Sequence, residues 1–310
     1  LNMWAAYLSV SVGWRVVFVG IYIAGAALTF VYAARLLRRE VALLGFLLWL
    51  ALHPLGFDHL PPVAYPLQNA LPILLLVGLR LWALERGEAG IWMLLGRLVQ
   101  IALMLVTEFA ALFGFAMIAA ESFVRHPLGG QGARDWLRGV LRDGAVWRDL
   151  VTVLAVLGAY LGYRLAFPST YVGNQIDGAT ELGDLSVTTL WHVLEGLVPF
   201  RLEAGLFAAP LPVLAAAILA GLVMALAVYH ALGRRLEPVS LRPVLLFLLG
   251  AILLVTLPLT ATRKQQELCV IHDSCAYLDS RCSIFGVVLM LVVLAIWGRA
   301  VIWRPLVAGL

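Results

Sequence analysis

Long apolar runs separated by short polar segments dominate the chain. A membrane-spanning helix needs about 20 apolar residues, within a range of roughly 17–25. The runs that meet this requirement are Val16–Ala34, Ala64–Leu84, Asp149–Phe167, Pro210–Leu232, Val244–Ala261 and Ser283–Trp303. A shorter run, Glu40–His53, is almost wholly apolar and ends before Pro54, where helices commonly stop. Each of these runs is predicted to span a membrane.

The apolar segment Gly90–Val124 is too long for one span, and it contains a carboxylate at Glu108. A lone carboxylate in the middle of a bilayer costs about 2.5–3.5 kcal/mol on insertion scales. The sequence therefore predicts two short helices with a turn at Thr107-Glu108. This division gives nine predicted spans, and the predicted fold is an all-α, polytopic membrane bundle.

The composition agrees with this pattern. Of the 310 residues, 63% are apolar and 13% are charged, whereas soluble domains have roughly 45–50% apolar and about 25% charged residues. A soluble core of this size cannot bury so much apolar surface. The composition therefore excludes an ordinary cytosolic enzyme, a disordered chain and a nucleic-acid-binding protein, and membrane lipids are the predicted surroundings.

The charged residues predict an orientation. When Arg35, Arg38 and Arg39 are placed in the cytoplasm, alternation of the spans puts 16 of the 22 basic residues on that side. The six that remain outside are Arg15, Arg164, Arg201, Arg263, Lys264 and Arg281. This split follows the positive-inside rule, and a single span over Gly90–Val124 would break it. Ten of the 18 acidic residues fall outside, so the net charge of +4 averages a basic inner face and an acidic outer face.

This layout predicts one membrane domain, residues 1–310, with outer loops at about 54–63, 168–209 and 262–282. The chain is placed in the cell membrane with its first residue outside and its last in the cytoplasm. We therefore expect that a leader was removed or that another span precedes Leu1. Residues 126–148 alternate basic, acidic and Trp positions. That pattern predicts a cytoplasmic amphipathic helix on anionic lipid, with a surface linker helix as the alternative.

The predicted outer face carries the side chains that could do chemistry. The candidates for acid–base catalysis are Glu108, Asp58 and His53. His192 and Glu195 lie three residues apart on a helix predicted near Val187–Leu197, so they share a face. They are candidates for a metal site, although the second histidine of a zinc helix is missing. A divalent cation is the cofactor that these groups suggest.

The three cysteines, Cys269, Cys275 and Cys282, lie in or beside the last predicted outer loop. Disulfides persist in an oxidising compartment, so one bridge within this loop is predicted, with one thiol left over. The pairing stays open, and three unpaired thiols are the alternative. The spacing of the cysteines matches no zinc signature.

Four segments together carry a resemblance. Ala24–Pro54 contains a helix that ends in leucines and arginines, followed by an apolar helix that closes in His53-Pro54. Residues 103–122 place Glu108 where two short helices join, and residues 157–167 end near Arg164. Residues 278–294 place Arg281 at the start of the last span. In this order, over about residues 15–300, the chain resembles the GT-C glycosyltransferases, above all their O-mannosyltransferase and dolichyl-phosphate-mannose-type branches.

The resemblance implies a GT-C membrane bundle that transfers a sugar from a polyprenyl-phosphate carrier at its outer face. Outer carboxylates would then deprotonate the acceptor hydroxyl. The candidates for holding the carrier phosphate are Arg164, Arg201 and Arg281. The chain departs from the family at Thr107, where a lysine is expected, and at Cys282, where a tyrosine is expected. The family's first span and catalytic aspartate loop would lie upstream of residue 1.

Three functions fit these features. The first is a GT-C-type glycosyltransferase that uses a polyprenyl-phosphate sugar donor. The second is a non-catalytic accessory or structural subunit, built on a degenerate form of that fold and bound to protein partners in a larger membrane complex. The third, a transporter, ranks last because the sequence shows no inverted repeat and no charge in the middle of a span that lines a pathway.

Overall fold

A computed structural model of the chain describes residues 12–37, 39–52, 66–86, 90–126, 133–167, 182–195, 241–267 and 280–298. These ranges are built from α-helices, in agreement with the all-α prediction. The helices are α1 (Val12–Leu36), α2 (Arg39–Leu52), α3 (Pro66–Arg86), α4 (Gly90–Met104), α5 (Glu108–Arg125), α6 (Ala133–Arg142), α7 (Gly144–Ala166), α8 (Leu182–Glu195), α9 (Leu241–Thr260), α10 (Arg263–Gln266) and α11 (Ser280–Gly298).

Most helix positions follow the apolar pattern of the sequence. The predicted runs correspond to α1, α2, α3, α7, α9 and α11, with ends that differ by a few residues. The predicted division of Gly90–Val124 is confirmed, because α4 ends at Met104 and α5 begins at Glu108. The helix predicted near Val187–Leu197 is α8, which begins five residues earlier. The predicted span Pro210–Leu232 lies outside the described residues.

The predicted amphipathic helix at residues 126–148 is shorter than expected. It forms α6, which ends at Arg142, and a new helix begins at Gly144. The break arises at Asp143, which has extended backbone angles and accepts a hydrogen bond from the Ala145 N–H at 2.8 Å. An aspartate that caps a helix in this way satisfies a backbone donor which has no partner within the helix. Gly144–Arg148 therefore belong to the start of α7.

The helices form a closed ring. α1 packs against α2 and α3, α2 against α11, α11 against α9, and α9 against α5. The ring closes because α5 packs against α4, and α4 packs against α3. α7 lies outside this ring against α4 and α5, and α8 packs on α9 and α11.

Aromatic side chains occupy the centre of the ring. Phe285 on α11 lies edge-on to Phe30 of α1 and to Phe113 of α5, with ring centroids 5.7 and 5.8 Å apart. Its ring also stacks on Trp49 of α2 at 6.0 Å, and Trp49 is completely buried. One phenylalanine thus joins α1, α2, α5 and α11.

The outer surfaces of several helices are apolar. On α4, Ile91 and Trp92 are about two-thirds exposed, and α7 exposes Leu154 and Leu161 to a similar degree. Two described helical segments, Val16–Leu36 and Gly144–Tyr163, are long and apolar enough to cross a membrane. Shorter apolar segments lie in α4, α9 and α11. Apolar surface of this extent marks contact with lipid or another protein.

Candidate functional site

The turn between α4 and α5 places one predicted catalytic residue at a helix end. Glu108 is the first residue of α5, and its side chain is exposed. Thr107 caps the helix, because its hydroxyl accepts a hydrogen bond from the Ala110 N–H at 3.0 Å. A carboxylate in the first turn also interacts favourably with the positive end of the helix dipole.

The structure does not describe the side chains of the other residues predicted for catalysis, phosphate binding or disulfides. His53, Asp58, Arg201, Cys269 and Cys275 lie outside the described residues. Arg164 lies on α7, Glu195 on α8, and Arg281 and Cys282 on α11, but the structure does not describe their side chains. Their predicted roles stay predictions.

His192 lies on α8, which makes polar contacts with α9 and α10. It is completely buried, one helical turn beyond Thr188 and Thr189. The hydroxyls of Thr189 and Thr260 lie 3.0 Å apart, and the Thr188 hydroxyl donates to Gln266 Oε1 at 3.3 Å. Among the described residues, no group of three His, Cys, Asp or Glu side chains is placed to hold a metal ion. The side chain of Glu195 is outside the described residues, so the predicted metal site at His192 and Glu195 stays a prediction.

A second cluster, which the sequence did not predict, links five helices. We call it the charged layer, and its members are Tyr32, Arg80, Arg97, Gln100, Glu121, Arg125 and Asp149. All of them except Arg125 are buried. Arg97 is the eighth of the 15 residues of α4, so a charged side chain lies in the middle of this apolar helix.

Glu121 of α5 is the centre of one half of the charged layer. Two nitrogens of Arg80 on α3 donate to its carboxylate, Nε to Oε1 at 2.9 Å and Nη2 to Oε2 at 2.5 Å. The Tyr32 hydroxyl of α1 donates to the same Oε1 at 2.6 Å. A bidentate arginine–carboxylate pair with a further donor is among the strongest polar arrangements in proteins. It locks α1, α3 and α5 together.

Asp149 of α7 is the centre of the other half. Arg97 of α4 reaches its Oδ1 at 2.7 Å, and Arg125 of α5 donates to its Oδ2 at 2.5 Å. Gln100 joins the halves, because its Oε1 accepts from Arg80 at 3.4 Å and from Arg97 at 3.2 Å. The charged layer is therefore continuous from α1 to α7.

The charged layer lies near one end of the bundle. Tyr32 and Glu121 are four residues from the ends of α1 and α5, Asp149 is five residues from the start of α7, and Arg80 is six residues from the end of α3. Arg97 lies at the middle of α4, seven residues from each end. At about 1.5 Å per residue, all five lie roughly 6–11 Å from helix ends that the predicted topology places towards the cytoplasm. Glu108 begins α5 at the opposite end, 13 residues and about 20 Å from Glu121.

A smaller polar contact lies next to the charged layer, where α6 meets α7. His126 Nε2 lies 3.0 Å from Asp143 Oδ2, and Arg125 Nε lies 3.8 Å from the same oxygen. The hydrogen bond from His126, helped by the Ala145 N–H and by Arg125, lowers the pKa of Asp143. The carboxylate is thus held charged, and a charged oxygen is a better cap for α7 than a protonated one.

Only part of the charged layer could be predicted from the sequence. Arg80, Arg97 and Arg125 were each assigned to the cytoplasmic side by alternation of the spans, and the structure places all three in one layer. Their partners could not be identified, since Arg80 and Glu121 are 41 positions apart and Tyr32 and Glu121 are 89 positions apart. The sequence feature that could have indicated the charged layer is a carboxylate inside an apolar run, as at Glu121.

An apolar cavity of about 110 Å³ lies between α1, α5, α9 and α11. Phe113, Phe247 and Phe285 line it, and Tyr32 borders it next to the charged layer. Its volume and lining suit a short hydrocarbon segment and offer no group for acid–base chemistry.

Comparison with known proteins adds no relative. No protein-family model, no curated protein and no solved structure matches this chain.

Proposed function

We propose that the chain is a multi-pass integral membrane protein. The apolar outward faces of α4 and α7 support this proposal, since water would be a poor solvent for them. Each α-helix also satisfies its backbone hydrogen bonds internally, which a bilayer requires. The charged layer and the turn at Glu108 mark opposite ends of the bundle, cytoplasmic and outer respectively.

Within this arrangement we propose that the outer end transfers a sugar from a polyprenyl-phosphate carrier. The observation that carries the proposal is the exposed carboxylate of Glu108 at the tip of the α4–α5 hairpin. It is the described residue that matches an acidic motif position of the GT-C enzymes. Its place about 20 Å along α5 from the charged layer leaves it outside the pairing that neutralises Glu121 and Asp149.

The proposed reaction needs a base and an anion-binding group. The acceptor oxygen forms a bond to the anomeric carbon of the sugar, and its proton passes to a carboxylate such as Glu108 or Asp58, or to His53. The bond between the anomeric carbon and the carrier phosphate breaks, and the phosphate leaves with that electron pair. Arg164, Arg201 and Arg281 are the candidates for stabilising the departing phosphate.

A non-catalytic accessory role is the second candidate, and the position of Thr107 favours it. The GT-C motif has a lysine there, but in this chain the side chain caps α5. A lysine carries only donors and cannot accept the hydrogen bond from Ala110. The motif position therefore serves the helix in this protein.

We expect membranes that contain the full chain to transfer label from radiolabelled polyprenyl-phosphate mannose to a membrane acceptor. If Glu108 is the base, Glu108→Ala lowers the rate by about a hundredfold or more, the usual contribution of a positioned general base. Glu85→Ala is the matched control, because Glu85 is an exposed carboxylate at the opposite end of the bundle.

Two results would count against this proposal. Native membranes that transfer neither mannose nor glucose from polyprenyl-phosphate donors contradict the enzymatic function and favour the accessory role. Equal losses in the Glu108 and Glu85 variants show that Glu108 is not the base.

A further inference from the structure

Helix α6 has two chemically different exposed edges. Its arginines, Arg134, Arg138 and Arg142, follow each other at intervals of four, so they form one row on the helix surface. Leu137 and Leu141 form a second row beside them. All five of these side chains are exposed.

The remaining face of α6 is turned towards the protein. Trp136 is partly buried, and its indole N–H donates to the His126 carbonyl at 3.0 Å. Val140 and Gly139 are also partly covered. Because this face is docked, the rows of leucines and arginines have a fixed direction.

A tryptophan of α7 extends the apolar row. Trp147 donates its indole N–H to the Leu141 carbonyl at 2.8 Å. Leu137, Leu141 and Trp147 are 50%, 51% and 49% exposed. Half of each side chain is therefore available to an apolar partner, while the arginine row lies alongside.

The place of α6 in the fold indicates that the apolar partner of this row is lipid. α7 begins two residues after α6 ends, and its segment Gly144–Tyr163 is long and apolar enough to cross a membrane. Asp143 fixes the joint through the Ala145 N–H and His126. The apolar row thus lies at the level where the predicted span leaves the bilayer, and tryptophan is typical of that level.

The charge of residues 133–148 indicates which kind of lipid headgroup this surface binds. Residues 133–148 carry four arginines and two aspartates. Asp135 lies 3.4 Å from Arg138, and Asp143 is engaged by His126 and Arg125. The exposed edge of α6 is therefore positive, which suits the anionic headgroups of a cytoplasmic leaflet.

We propose that α6 and Trp147 form a docking surface for anionic phospholipid, with Leu137, Leu141 and Trp147 in the headgroup–acyl boundary and the arginine row on the lipid phosphates. An interfacial helix of this kind combines apolar burial with electrostatic attraction. The surface lies at the end of the bundle opposite Glu108. The inference rests on the membrane placement proposed above and is independent of sugar transfer.

The test uses the full chain reconstituted in phosphatidylcholine bilayers with trace spin-labelled phosphatidylglycerol. We expect the native chain to retain the anionic lipid at its surface in preference to phosphatidylcholine. The triple variant R134Q/R138Q/R142Q loses that preference by about fivefold or more, since each arginine near a membrane surface contributes roughly that factor. In the matched control R35Q/R39Q/R263Q, Arg35 and Arg263 already pair with Glu85 and Glu267, so their removal should keep the preference within about twofold.

A second measurement reports on depth. In a chain whose three cysteines are replaced by serine, a nitroxide is attached at Leu137→Cys or at Leu157→Cys of α7, which is exposed on the predicted span. We expect both labels to collide with oxygen more often than they collide with a water-soluble nickel chelate. An aqueous label at 137 with a lipid-exposed label at 157 overturns the docking surface while the membrane placement stands. Equal losses of lipid preference in the two triple variants also overturn it, and an aqueous label at 157 contradicts the membrane placement itself.

Discussion

Replacing Glu121 by alanine is expected to lower the free energy of unfolding by about 3–5 kcal/mol. The variant removes the carboxylate that pairs with two nitrogens of Arg80 and accepts the Tyr32 hydroxyl. Arg80 would then be a buried cation without its counter-ion, and desolvation makes such a charge expensive. The loss is measured by unfolding the detergent-solubilised full chain with increasing dodecyl sulfate and following its helical signal.

The matched control is Glu85→Ala. Glu85 also pairs with an arginine, Arg35, at 2.9 Å, but the side chains of this pair are 61% and 55% exposed, against 5% and 4% for Glu121 and Arg80. Exposed pairs contribute about 0–1 kcal/mol, so this variant should be close to the native chain. Similar losses in both variants would mean that Glu121 is not desolvated. The double variant Arg80→Ala/Glu121→Ala should lose less than the sum of the single variants, because it leaves no unpaired charge.

Asp149→Ala is the second substitution with a large expected effect. Asp149 is buried and receives Arg97 and Arg125 on its two oxygens, so its removal leaves two cations of different helices without their shared anion. We again expect a loss of about 3–5 kcal/mol in the same unfolding experiment. Asp135→Ala is the control, since Asp135 is an exposed carboxylate beside Arg138 on the neighbouring helix.

The position of Asp149 adds a second readout. α7 packs on the ring through α4 and α5, and Asp149 connects α7 to both. The combined variant Glu121→Ala/Asp149→Ala should be non-additive, because Gln100 links the two halves of the charged layer. Strict additivity of the two losses would show that the halves are independent.

The helices were predicted well where the apolar pattern and the cost of burying a carboxylate in a bilayer agreed. A carboxylate inside Gly90–Val124 predicted the turn at Thr107-Glu108, and the structure has that turn. The end of the amphipathic helix was placed too late, since the capping geometry of Asp143 depends on local backbone angles that alternation of polar residues does not report.

The charged layer could be predicted only in part. Arg97 was assigned to the cytoplasmic side by alternation of the spans, and no partner was predicted for it. Asp149 was placed at the start of a span without a role. The partners become visible only when α4, α5 and α7 pack together, because pairing depends on tertiary contacts between distant positions. His192 is completely buried on α8, and its predicted role in a metal site stays a prediction.

The central claim is that the bundle crosses a membrane with the charged layer towards the cytoplasm and Glu108 outside. The direct test labels two single cysteines in intact cells with a membrane-impermeant maleimide, in a chain whose native cysteines are serine. Val106→Cys lies in the exposed turn before Glu108, and Arg142→Cys is exposed at the end of α6. We expect Val106→Cys to react in intact cells, whereas Arg142→Cys should react only after the membrane is opened. Labelling of Arg142→Cys in intact cells, with Val106→Cys protected until the membrane is opened, would contradict the central claim.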